Sequence, residues 1–193
     1  KFIFSSTAAV YGEPNKEDIP VSETTRTSPI NPYGSSKLFS ESVIKDTAFA
    51  NETFKFVILR YFNVAGADVD GKIGQSTLNA THLIKVAAET ALNKRAKMSI
   101  FGDDYDTQDG TCIRDYIHVC DLADAHLKAL KYLDTNPSDI FNCGYGYGYS
   151  VKEVIDTMKK VSNTDFKVDI VPRRAGDPSN LISNNKKIKT KRK

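Results

Sequence analysis

Tyr33 and Lys37 are the residues of this chain whose types and spacing point most directly to proton chemistry. Asn31 is a favourable helix N-cap and Pro32 a favourable first helical residue, so the segment running on through Leu38, Phe39, Val43 and Ile44 is expected to be helical over roughly 32–50. Residues four apart on a helix share a face. The Tyr33 phenol and the Lys37 ammonium are therefore expected side by side, and a neighbouring cation favours the phenolate. That makes Tyr33 a candidate general acid and base near neutral pH. The Tyr-x-x-x-Lys spacing occurs once in the chain. By itself it also describes a surface helix with an ordinary tyrosine and a solvated lysine, so its meaning depends on the elements that position it.

Before that helix, the apolar run 1–6 is expected to be a buried strand, with Thr7-Ala8-Ala9-Val10-Tyr11-Gly12 at its carboxyl end. In open parallel sheets ligands bind at that end. A polar loop over 13–30 leads to the helix, and 54–62 is nearly all apolar, the signature of a strand buried on both faces. Strand, helix, strand makes a parallel crossover unit. The pattern continues as a helix over 78–92, a strand over 98–101, a strand over 113–119, a helix capped by Asp121 and running through Leu133, a strand over 140–143, a helix over 151–161 capped by Ser150, and a strand over 166–171. This alternation is that of an α/β fold.

With 193 residues, 40% of them hydrophobic, the chain can bury one core or most of two small lobes. No apolar run approaches the roughly 20 residues needed to cross a bilayer, and no targeting segment opens the chain. Cys112, Cys120 and Cys143 are odd in number and lack a Cys-x-x-Cys pair, so neither a disulfide framework nor a zinc site is expected; a reduced cytoplasm fits. His118 and His126 sit with no carboxylate or cysteine at ligand spacing and are read as structural. Of the net charge of +3, six positive charges lie in the basic tail 186–193, which leaves residues 1–185 at −3. Without a basic stripe interleaved with aromatics, nucleic acid is not an expected partner. The cluster Gly144, Gly146, Gly148 carries Tyr149 where a dinucleotide loop needs its third glycine, and is read as a strand-to-helix turn. The chain opens on Lys1 inside a strand, as a fragment would.

Five strings in order carry a resemblance: Phe4-Ser5-Ser6-Thr7-Ala8-Ala9-Val10-Tyr11-Gly12; Asn31-Pro32-Tyr33-Gly34-x-x-Lys37; Leu59-Arg60-Tyr61-Phe62-Asn63-x-x-Gly66-Ala67; the segment from Phe101-Gly102-x-Asp104-Tyr105 to Arg114-Asp115-Tyr116-Ile117-His118; and Pro172-Arg173-Arg174-x-Gly176-Asp177. With them the chain resembles the extended short-chain dehydrogenase/reductase family, most closely its UDP-glucose and UDP-N-acetylglucosamine 4-epimerases, over nearly all of 1–182. The resemblance implies a partial Rossmann-type parallel sheet, the carboxyl-terminal half of an NAD-binding domain, over 1–65. It implies a smaller α/β domain for the UDP-sugar over 66–185, with elements returning to the first. The glycine-rich loop of such a domain would lie upstream of Lys1, and full activity is expected of a full-length parent, which would be a homodimer.

The resemblance further implies that Tyr33 is the catalytic base, Lys37 its cationic partner and a ligand of the nicotinamide ribose, and Thr7 the hydroxyl between Tyr33 and the sugar. Tyr61 and Phe62 would lie along the nicotinamide, and Asn63, His82, Leu83, Phe101, Arg114, Arg174 and Asp177 would hold the UDP-sugar. Arginine forks suit a diphosphate, although Arg114 could instead pair with Asp115, and Arg173 and Arg174 could be surface charges. Asn63 is expected at the end of a buried strand, where its amide needs partners. Leu181 falls near the position that faces the sugar's 2-substituent; it is smaller than the Tyr of strict UDP-glucose enzymes, which suggests acceptance of N-acetylated sugars. The implied reaction is NAD-dependent epimerisation at carbon 4 through a 4-keto sugar. Two other readings are another nucleotide-sugar-modifying member of the same family, against which Ala8 and Ala9 offer no acidic group for dehydration, and an inactive fragment that binds no cofactor.

Overall fold

The computed structural model describes residues 1–190. In chain order its elements are β1 (Phe2–Thr7), α1 (Pro32–Ala50), β2 (Phe56–Tyr61), β3 (Asn63–Ala65), α2 (Leu83–Ala91), β4 (Met98–Phe101), β5 (Ile113–His118), α3 (Val119–Tyr132), β6 (Asp139–Cys143), β7 (Gly148–Ser150), α4 (Val151–Ser162), β8 (Val168–Val171), β9 (Asn180–Leu181) and α5 (Lys186–Thr190). Lys191, Arg192 and Lys193 of the expected basic tail lie outside the described residues.

The first sheet is parallel, with order β1-β2-β6. Its middle strand is buried from Phe56 to Arg60 because it is covered on both faces, and the period-2 alternation of a strand divides its side chains between them. Val57 and Leu59 pack with Leu122 and Ala129 of α3 and with Leu133. Phe56 and Ile58 pack with Ile44 of α1. Each such large apolar side chain, fully buried, contributes about 1.5–3 kcal/mol, and this double cover fixes α1 against the sheet. The α/β class expected from the pattern holds, with β1 and β2 parallel as the crossover rule requires.

A second sheet is built around β5, which runs parallel to β3 and β9 and antiparallel to β7. Parallel β4 and β8 form a third, covered by α2 and α4 through Ala87, Met98, Ile100, Ile155 and Phe166. The pin of the β5 sheet is Asp115, fully buried, whose carboxylate accepts hydrogen bonds from the backbone N–H groups of Tyr145 (2.9 Å), Gly146 (2.9 Å) and Ser183 (3.0 Å). Burial holds this carboxyl above its ordinary range in spite of those donors. The glycine cluster serves this pin. A Cβ on Gly144 would lie 2.5 Å from the Asp115 Oδ2 and 2.8 Å from the Ser183 Cβ, and one on Gly148 would lie 2.5 Å from Ile113 and Ile182. These glycines make room for protein side chains, so the cluster is a turn, as expected, although it includes the short strand β7. Gly144→Ala is expected to destabilise the fold by about 1–3 kcal/mol; an unchanged denaturation midpoint would contradict the packing role.

Several boundaries differ from the expected ones for local reasons. The strand expected over 54–62 is Phe56–Tyr61, because Asn51 turns the chain by accepting from the Thr53 backbone N–H (3.0 Å), which leaves Phe54 outside the ladder. The helix expected from residue 78 starts at Leu83: Asn79 takes a positive φ of 54°, and the Ala80 carbonyl is satisfied by the Arg95 side chain (2.9 Å). The cap of α3 is His118, whose Nδ1 accepts from the Cys120 N–H at 3.2 Å, and Asp121 sits inside the first turn, where a negative charge is favourable. The strand expected over 166–171 begins only at Val168. Ser150 does cap α4, in a reciprocal capping box with Glu153. The start of the basic tail is not a free solvated end. It forms α5, where Ile188 packs beside the α3 core and Lys187 reaches Asp139 and the Ile140 carbonyl (2.9 Å).

Candidate functional site

The amino end of α1 and the carboxyl end of β1 meet at one point. Asn31 caps α1 by accepting from the Gly34 N–H at 2.8 Å, and it donates to the Gly176 carbonyl at 3.2 Å. Gly34 lets the helix press against the 3₁₀ turn Ala8–Tyr11; a Cβ there would lie 2.5 Å from the Ala9 carbonyl oxygen. The expected pairing on α1 is present: the Lys37 ammonium lies 5.9 Å from the centre of the Tyr33 ring and donates to the Ser5 carbonyl at 3.0 Å. Lys37 also lies 5.1 Å from the Phe4 ring. The Tyr33 side is open, with 54% of the residue exposed. Thr7, buried at the end of β1, accepts from the Ala9 N–H at 3.2 Å, and a hydroxyl that accepts one hydrogen bond can still donate its own proton.

Beyond this point lies a two-part cleft. The smaller part, about 150 Å³, is lined by Thr7, Ala8, Ala9, Tyr61, Phe62 and Leu181 among others. The larger, about 540 Å³, is lined by His82, Leu83, Phe101, Tyr116 and Arg174 among others. Asn63, Arg114 and Asp177 border both parts. The cleft thus gathers ten of the twelve residues expected at the site. Tyr33 and Lys37 do not line it; they stand on α1 beside the Ala8–Ala9 turn, which does.

The charges of the cleft are incompletely balanced. Arg174 forks onto Asp177 (Nε to Oδ2 2.9 Å, Nη2 to Oδ1 3.0 Å) and lies 5.4 Å from the Phe101 ring. Those hydrogen bonds raise the pKa of Arg174 above its ordinary value, against a smaller effect of burial. Arg114 reaches the same carboxylate at 3.8 Å and donates to the Ile113 carbonyl at 2.9 Å, so two guanidinium groups share one counter-charge. Arg114 does not pair with Asp115, which is committed to backbone donors. Arg173 is a surface charge, paired with Asp104 (2.6 Å) over the Tyr105 ring at 4.1 Å. Burial pushes the Tyr116 phenol up to about 12, against the opposing pull of Arg114 and Asn63, so it is a neutral hydrogen-bonding wall at physiological pH.

Asn63 does not end a buried strand. It opens β3 and is exposed, so it escapes the burial cost expected for it, and its side chain hydrogen-bonds the Tyr116 phenol at the cleft wall. His82 is an exposed rim residue whose Nδ1 lies 2.8 Å from the Gln75 amide nitrogen. His118 caps α3 and His126 joins the Ser5 hydroxyl (3.1 Å) to the Leu122 carbonyl (2.8 Å); both are structural, as expected. Sequence reasoning gave no role to the buried pair Glu41 and Arg60. The signal was there: an arginine inside the otherwise apolar run of β2 requires a buried carboxylate.

The NAD dependent epimerase/dehydratase family matches residues 1–144. A UDP-glucose 4-epimerase of Azospirillum brasilense is 53% identical over 190 residues, which are 98% of this chain and 54% of that protein. Among solved structures, the UDP-Glc/GlcNAc 4-epimerase of Campylobacter jejuni is 64% identical with a TM-score of 0.76, over 98% of this chain and 57% of its own. The UDP-glucose 4-epimerase of Bifidobacterium longum, solved with NAD+ and UDP, is 39% identical with a TM-score of 0.94, over 99% of this chain and 57% of its own. The chain spans about half the length of the curated relatives it matches.

Proposed function

The chain belongs to the NAD dependent epimerase/dehydratase family, and we propose that its cleft holds a UDP-hexose whose carbon 4 is epimerised through a 4-keto sugar. The observation that carries this reading is the junction of two devices: a phenol and an ammonium on one face of α1 beside the end of β1, and a cleft starting at that strand end whose far part presents two arginines on one aspartate. Arg114 and Arg174 bind the diphosphate, for which their forks and unbalanced charge are suited. Tyr33 takes the proton of the 4-hydroxyl and returns it after the sugar has turned, with the Lys37 ammonium on the same face of α1 and Thr7 donating to the sugar oxygen. Affinity held in the diphosphate contacts leaves the sugar free to rotate. Ala8 and Ala9, which line the cleft beside Thr7, supply no proton for elimination, and this favours epimerisation over dehydration.

One end of NAD fits the residues present. The Lys37 ammonium and the open Tyr33 phenol stand at the carboxyl edge of a parallel sheet, the usual place for such a ligand. The glycine cluster at Gly144 packs on Asp115 and is not part of that fit. When bound, NAD supplies the acceptor for the hydride of carbon 4. Residues 1–65 then form part of the dinucleotide domain and 66–185 most of the sugar-nucleotide domain, in a cytoplasmic enzyme. Phe39 and Val43, exposed one turn apart on α1, support a homodimer built on that helix.

The test is a hybrid in which this chain replaces the matching segment of the A. brasilense relative. It is expected to convert UDP-glucose to UDP-galactose, and a folded hybrid without turnover would refute the reading. Leu181 sits against Ala8 and Phe62 in the smaller part of the cleft. The hybrid is therefore expected to accept UDP-N-acetylglucosamine too, and Leu181→Tyr to lower that activity by about 10–200-fold relative to UDP-glucose. An unaltered ratio of the two rates would count against Leu181 as the specificity position.

A further inference from the structure

Tyr33, Lys37 and Glu41 follow at four-residue intervals and form one stripe of α1. Its inner end is fully buried: Glu41 has no exposed surface, and Arg60 of β2 is 2% exposed. Arg60 forks onto the carboxylate, Nε donating to Oε1 at 2.9 Å and Nη2 to Oε2 at 2.6 Å, while the Ser6 hydroxyl donates to Oε1 at 2.6 Å. The third arm of Arg60, Nη1, donates to the Tyr11 hydroxyl at 3.1 Å, which donates to the Asn142 Oδ1 at 2.7 Å. Ser6, Arg60 and Asn142 are register partners across the three strands. The network therefore ties α1 to the whole sheet one residue below Thr7 and Tyr61. None of its charged members lines the cleft.

Holding α1 down does not require this pair. Ile44, Phe56 and Ile58 supply the apolar contact one turn away, and replacing a buried ion pair by apolar side chains is often neutral or stabilising. A planar guanidinium fork adds direction, because it accepts a carboxylate in one placement. Burial works against the charge on Arg60, and the hydrogen bonds and charge interactions with Glu41 and Tyr11 together more than reverse that, so the guanidinium remains ionised. Lys37, one turn above, donates to the Ser5 carbonyl next to Ser6, so the stripe is anchored to β1 at two successive residues.

We propose that Glu41 and Arg60 are positioning residues for the acid–base step, setting the rotation and height of α1 and thereby the placement of Tyr33 and Lys37 against Thr7. The inference rests on the proton-transfer role given to Tyr33. In the hybrid, Glu41→Met with Arg60→Met replaces the fork by apolar side chains. The double variant is expected to melt cooperatively and to keep its KM for UDP-glucose within about two-fold, while kcat falls about 10–100-fold, the cost of a small misplacement. A folded double variant whose kcat stays within about two-fold of the parent overturns the proposal; a purely structural pair gives that result. Should the double variant not fold, Ser6→Ala, which keeps the fork and removes one hydrogen bond to Glu41, decides instead. A several-fold lower kcat at unchanged KM supports the proposal, and an unchanged kcat overturns it. A hybrid insensitive to Tyr33→Phe overturns both readings. One sensitive to Tyr33→Phe but insensitive to the double substitution overturns the positioning role alone.

Discussion

Replacing Tyr33 by Phe is expected to lower the kcat of the hybrid by about three orders of magnitude, near the middle of the range for loss of a general acid–base group. The fold should not notice. Tyr33 is more than half exposed and sits in the first turn of a helix whose cap, Asn31, and whose packing residue, Ile44, are untouched. Because the phenol acts on the reacting oxygen and not on the diphosphate, KM for UDP-glucose should remain within a few-fold of the parent. Rates from proton NMR of the two UDP-sugars, with melting curves alongside, would check this. A Phe variant as fast as its parent would remove Tyr33 from the mechanism.

Arg114→Leu is expected to produce the opposite pattern. Arg114 is largely buried, and Arg174 keeps its fork on Asp177 in its absence, so the carboxylate is not orphaned. What is lost is a cation with two or more charge-assisted hydrogen bonds to the diphosphate, each worth about 1.5–3 kcal/mol. UDP affinity should fall by roughly 150-fold or more, and KM should rise with little change in kcat, since the contact is the same in ground and transition states. Calorimetric titration of UDP into the parent and variant hybrids would measure the loss. Equal affinities would place the diphosphate elsewhere. Together the two variants separate chemistry at the strand end from binding in the wider cleft.

Much of this was legible because it is local. Asn31 and Pro32 set the start of α1 and Ser150 that of α4 through contacts within one turn. The mainly apolar run 54–62 needed no partner to be read as a buried strand, which the structure trims to Phe56–Tyr61. Errors came where a distant side chain overruled a local pattern. The helix expected at residue 78 gives way because Arg95 takes the Ala80 carbonyl and Asn79 turns the backbone. Asn63 looked like a buried strand end, yet it starts a strand of a different sheet. The fork between Glu41 and Arg60 joins α1 to β2, and no periodicity reports such a pairing; only the cost of a lone buried arginine hints at it. Charge patterning likewise placed Lys187 in a basic tail, and no local pattern reports its partner, Asp139, 48 residues away.

The most direct test of the account follows the hydrogen on carbon 4. The hybrid is given UDP-glucose deuterated at that carbon, in ordinary water, and the UDP-galactose formed is read by NMR. If Tyr33 exchanges the hydroxyl proton while the hydrogen of carbon 4 leaves and returns within one closed site, the product keeps its deuterium on the opposite face. UDP-galactose carrying solvent hydrogen at carbon 4 would contradict the account.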